Sequence, residues 1–169
     1  MLRMKKVDLI EFKDLKVGES GLFGNAATKS LVRLLRAHHA EPHLGVAAVA
    51  IGPNLPGKGG PAVVDADAVK GWHGVRDQDL EIEVSPDAMQ TGDFDFDPQA
   101  RTPGLVRITR GGPELIVSNG ANALWYLSLK DFRLSHTHAG EPFWLNAKKY
   151  RIVRDNAGSA ETVFAFTAA

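Results

Sequence analysis

Residues 105–129 read LVRITRGGPELIVSNGANALWYLSL, and the fold is decided on this stretch. Short apolar runs alternate with polar residues and are separated by Arg110-Gly-Gly-Pro113 and Asn119-Gly120. Alternation with period two marks strands that bury one face. Asn-Gly between two such runs is the strongest short hairpin signal, since both residues tolerate the positive φ of a type I′ turn. The pattern continues to Phe166, with strands expected over 104–109, 114–118, 123–129, 131–138, 143–153 and 162–166. Together they form a C-terminal β-meander.

Working back towards the N-terminus, residues 27–41 place Leu31, Leu34, Leu35 and His38 at i, i+3, i+4 and i+7. That spacing predicts one amphipathic helix with Lys29, Arg33 and Arg36 opposite the apolar stripe. Asn25 or Thr28 supplies a cap and Pro42 closes the helix. Residues 44–51 are continuously apolar, as in a strand buried on both faces. Shorter strands are expected over 7–12, 62–65 and 80–84, and Ser85-Pro86-Asp87 resembles a helix start. The expected fold class is α+β: a mainly antiparallel sheet, built from the C-terminal meander, with one principal amphipathic helix near the N-terminus. Residues 1–169 are expected to form a single domain, with a flexible Gly/Pro loop at 52–61 (GPNLPGKGGP).

Twenty basic residues balance twenty acidic ones. Zero net charge argues against a general nucleic-acid binder working by counterion release and against a protein held on anionic membrane. The chain has no cysteine, which excludes disulfides, thiolate metal sites and a cysteine nucleophile. The basic start is followed by only a few apolar residues, broken by Asp8 and Glu11, and the longest apolar run, 44–51, is too short to span a bilayer. The expectation is a soluble chain without signal peptide or transmembrane segment, cytoplasmic or incorporated in an assembled particle.

Several clusters invite chemistry. His136 and His138 share one face of a strand, so two imidazoles can meet one divalent metal, with Glu141 after the turn. The six residues HTHAGE resemble the first metal motif of a cupin barrel. That resemblance implies a metal-dependent enzyme or small-molecule binder using His136, His138 and Glu141. It departs from the family where Pro142 and Lys130 replace its glutamate and glycine. Asp93, Asp95 and Asp97 alternate with phenylalanines, an oxygen-rich spacing suited to calcium or to a charged edge strand. Lys148, Lys149 and Arg151 flank Tyr150, as in surfaces that bind single-stranded nucleic acid, but alternation splits them between two faces. His38, His39 and His43 crowd six residues, yet Pro42 interrupts the helical spacing a metal site needs, and His38 reads as a core-edge residue. Gly21 to Ser30 lacks the glycine a P-loop requires before Lys29.

No cluster carries unambiguous catalytic chemistry. The expected function is therefore a non-catalytic assembly or interaction protein, such as a capsid or tail component of a virion, with protein partners or self-association and no cofactor. The strand-like end containing Val163, Phe164 and Phe166 is its expected interaction segment. The metal-dependent and nucleic-acid readings are the alternatives.

Overall fold

The computed structural model describes residues 8–55, 60–78, 80–84, 94–95, 101–120, 123–137 and 145–168. It overturns the expected principal helix. Residues Ser30–His39 form a ten-residue strand, β3. Among the described residues the only α-helix is α1 (Ala66–Val69), accompanied by 3-10 turns at Phe12–Asp14 and Pro42–Leu44. The fold is nearly all β.

Burial explains the correction. Val32 and Leu34 bury on one face of β3 with Phe12, Leu15, Phe23 and Val69. Leu35 and Ala37 bury on the other, against Val106, Leu115, Leu127 and Leu134. An apolar run needed on two faces has leucines at consecutive positions, and consecutive leucines also satisfy helical spacing. Tertiary packing decides between them. Leu31, placed on the supposed helical stripe, is 51% exposed. The local capping chemistry is present but serves a different element. Asn25 Oδ1 accepts from the Ala27 and Thr28 amides in the turn between β2 (Ser20–Asn25) and β3.

β4 (Val46–Gly52) follows and is buried on both faces from Ala47 onward, as its sequence predicts. A closed ring of six strands then forms. β3 pairs with β4, β4 with β5 (Ala62–Val64), and β5 with β10 (Gly112–Ser118). β10 pairs with β11 (Leu124–Ser128), β11 with β12 (Arg133–Ser135), and β12 returns to β3 in parallel. Closure removes strand edges from the ring. On one side the sheet extends beyond β3 through β2, β6 (His73–Arg76) and β1 (Leu9–Glu11). On the other it extends beyond β10 through β9 (Val106–Thr109), β13 (Leu145–Ala147) and β8 (Phe94–Asp95).

The C-terminal meander is therefore shorter than expected. β9 to β12 are consecutive neighbours, but β13 pairs back onto β9. β14 (Lys149–Asn156) and β15 (Ser159–Thr167) leave for a separate sheet, completed by β7 (Leu80–Glu83). The Asn119-Gly120 turn is longer than two residues, because Ser118 pairs with Leu124. The second sheet covers the barrel core with Tyr150 and Ile152. Burial pushes the Tyr150 phenol far above its ordinary range, so it stays neutral and donates to the Ile51 carbonyl at 2.8 Å. The Gly/Pro loop at 52–61 and the helix start at Ser85 lie partly or wholly outside the described residues.

One charged pair is built into this core. Arg33 donates through Nε to Asp77 Oδ2 at 2.9 Å, and the Ser20 hydroxyl donates to the same oxygen at 2.8 Å. The two charged side chains are 6% and 8% exposed. Removing one partner strands a buried charge, whereas replacing both by apolar groups does not. Asp77→Ala should cost about 3–5 kcal/mol in urea denaturation. The double variant Arg33→Met/Asp77→Leu should lose far less. Equal losses in the two would show that the pair is not the source of the cost.

Candidate functional site

Two places on this scaffold have the chemistry of a site: one end of the barrel, and the outer edge of β15.

At the barrel end, three chain segments converge. β3 finishes at His38-His39, and the 3-10 turn at Pro42–Leu44 reverses the chain. Gly45 takes φ +68 there and its carbonyl accepts from the His39 amide at 2.9 Å. β12 lies parallel to the end of β3, with the His38 amide donating to Phe132 and the Ala40 amide to Leu134. β11 contributes Trp125. The Trp125 ring meets His39 edge-on at 5.3 Å and His136 edge-on at 5.7 Å. Glu41 holds His136 Nδ1 at 3.2 Å and reaches His43 Nε2 at 3.6 Å. Burial, the largest cause, moves the His39 imidazole below its ordinary value near 6.5, opposed by Glu41 and assisted by His38 and His43. His39 is therefore neutral at pH 7, and its Nδ1 is buried without a hydrogen-bond partner.

Beside this cluster the barrel wall is thin. β5 has only three residues and meets β10 at one register position, Ala62 opposite Ser118. Where β5 ends, a cleft of about 650 Å³ opens between the start of β4 and the β10–β11 connection. His39, Trp125 and Arg36 line it, with Leu44 and Val46, which are 43% and 38% exposed. Arg36 lies on β3 with its guanidinium turned to the layer below, where Nη1 donates to the carbonyls of Lys13 and Leu15.

β15 lies at the edge of the order β15-β14-β7. It is nine residues long, and Glu161 is its one charged side chain. Phe164 and Phe166 turn inward onto the core, over Gly52 and Gly104. Both glycines have positive φ, and a Cβ at either would collide with the phenylalanine ring. Phe166 also stacks on Tyr150 with ring centroids 5.4 Å apart. Val163 is the extra residue of a bulge, since Ile152 pairs with Phe164 and Val153 with Thr162.

The other sequence-derived sites fall partly outside the described residues. His138 and Glu141 lie outside the described residues, and His136 pairs with Glu41. Asp93 and Asp97 also lie outside them. Asp95 belongs to β8, at one end of the strand order, opposite Asn146. Among the described residues no group of three or more histidines and carboxylates is spaced to hold a metal. Arg151 donates to both carboxylate oxygens of Glu83, at 3.1 and 2.9 Å. Lys149 opens β14 opposite Thr167, and the Lys148 carbonyl accepts from Ala168. Sequence reasoning missed Trp125, Glu41 and Arg36 as site residues. The crowding of His38, His39 and His43 was the available signal, but a helical reading separated it from Trp125.

Compared with known protein families, curated proteins and solved structures, the chain matches no family model, no curated protein and no solved structure.

The depressed His39 value has a sign that can be measured. Its stabilising contribution is complete above the unfolded value near 6.5 and is lost as pH falls from there through the folded value, because the unfolded chain takes up the proton first. Melting temperature should fall between about pH 7.5 and pH 5.5, and His39→Phe should remove part of that slope. An unchanged slope in the variant would show that His39 is not the titrating group.

Proposed function

We propose that this chain is a non-catalytic assembly protein that joins a second copy of itself through the outer edge of β15. The observation that carries the reading is the edge itself. β15 presents nine residues of backbone with one charged side chain, and among the described residues no strand pairs with its outer side. Soluble proteins blunt such edges with short strands, charges or proline, because an open edge templates pairing with another chain. Among the described residues the other edges are blunted in this way. β1 has three residues, β8 has two, and β7 carries Glu81 and Glu83.

Self-pairing meets no electrostatic obstacle. The chain is formally neutral, so two copies do not repel as monopoles. An antiparallel pairing centred on Phe164 sets Glu161 opposite Thr167 of the partner subunit, so like charges do not meet. The inward seating of Phe164 and Phe166 holds β15 against the core, and a strand already held in place has less to order when a partner strand is added.

Size-exclusion chromatography with light scattering should show dimers or larger species at about 100 µM. Thr162→Lys/Ala165→Lys places charge on the edge at two exposed positions. It should give monomers with a melting temperature within about 2 °C of the parent. A parent that is monomeric at that concentration, or a lysine variant that assembles equally well, would overturn the reading.

A further inference from the structure

We infer that the pocket between the β2–β3 turn and Trp72 binds a small neutral hydroxylated ring of about the size of phenol. The ring lies on an apolar floor and its hydroxyl meets an oxygen-rich rim. The inference is independent of the β15 edge and rests on how one face of β3 is divided.

Ser30, Val32 and Leu34 alternate along β3 and so point to one face. Val32 and Leu34 are buried in the core with Phe23, Ala48 and Val69, while Ser30 lies at its margin. Asn25 stands opposite Ser30 at the end of β2, and Val64 stands opposite Ala48 on β5, so both share that face. Trp72, in the turn after α1, packs against the same core. Between these residues lies a pocket of about 160 Å³. Val32, Leu34, Val64 and Trp72 form its floor. Asn25, Thr28, Ser30 and Asn54, all less buried than Val32 and Leu34, form its rim. Among the described residues no charged side chain lines it.

The rim is held in place and keeps hydrogen-bonding capacity. Asn25 Oδ1 accepts from the Ala27 and Thr28 amides, and Asn54 Nδ2 donates to the Leu31 carbonyl at 2.7 Å. The Thr28 and Ser30 hydroxyls share one hydrogen bond at 2.5 Å. Two hydroxyls carry two protons, and that bond uses one of them. One donor and several lone pairs remain, so a ligand hydroxyl can both accept and donate there.

Size and lining narrow the class. An apolar cavity of about 150 Å³ takes up benzene, so one ring fits this pocket. Water on the floor would lack the polar partners that hold an ordered molecule. A charged ligand would lose hydration and meet no counter-charge on the wall. A ring with one hydroxyl covers the floor and satisfies the rim.

Phenol, benzene and benzoate, titrated calorimetrically into the full chain, test the assignment. Phenol should bind saturably with a Kd of about 1 mM, benzene about five-fold and benzoate at least about ten-fold more weakly. Thr28→Val/Ser30→Ala removes both rim hydroxyls and leaves the floor intact. It should lower phenol binding to the level of benzene, with benzene bound as by the parent. Val64→Phe fills the pocket, and the folded variant should bind both ligands about ten-fold or more weakly. No saturable phenol binding below about 10 mM would overturn the proposal. So would benzoate binding as tightly as phenol, or unchanged phenol binding in either folded variant.

Discussion

The structure depends on β3 being buried on both faces while paired along both edges. Its first half pairs with β2 and its middle with β4. Its end, at His38 and His39, pairs with β12 on the side that β2 has vacated. One ten-residue strand thus belongs to the extended sheet at its start and to the barrel at its finish. No three-residue strand can do this, because the switch of partner needs backbone left over after β2 ends. Leu34 and Leu35 are the hinge of the arrangement. Leu34 packs under the layer made by Phe12, Leu15 and Val69, and Leu35 packs inside the barrel. Burial on both faces has a cost at Arg33, which falls in the dry part of the sheet and is neutralised by Asp77 from beyond β6.

Much of the strand pattern was legible because it is local. The alternation in β9 to β11 and the two-faced apolar run of β4 announce strands before any partner is known. What the sequence concealed is non-local. Leu31, Leu34, Leu35 and His38 satisfy a helical period, and only the presence of apolar surface on both sides of β3 favours the strand. No composition signal marks the parallel returns of β12 to β3 and β5 to β10, which close the ring. The same gap hid the site. Trp125 and His39 lie far apart in the sequence and meet only because β12 carries β11 to the end of β3.

Closure and its weakness come from the same feature. A ring of six strands needs every member to reach both neighbours, and β5 reaches β10 at one position. The ring is complete where Ala62 meets Ser118 and open where β5 gives way to α1.

The outer edge of β15, with which no described strand pairs, has a different origin. Its inner side is spent on the core, where Phe164 and Phe166 occupy the space that Gly52 and Gly104 leave by lacking a Cβ. These contacts fix the strand against the barrel but do nothing for the hydrogen-bonding groups along its outer edge. The bulge at Val163 adds local twist, one of the devices that discourage edge pairing, yet the six residues around it from Glu161 to Phe166 carry one charge and no proline. A strand this firmly seated and this lightly protected differs from every other edge of the described fold. The difference lies in its length and side chains, which the sequence specifies directly. The pairing that leaves its outer side open is set by where β14 and β7 run.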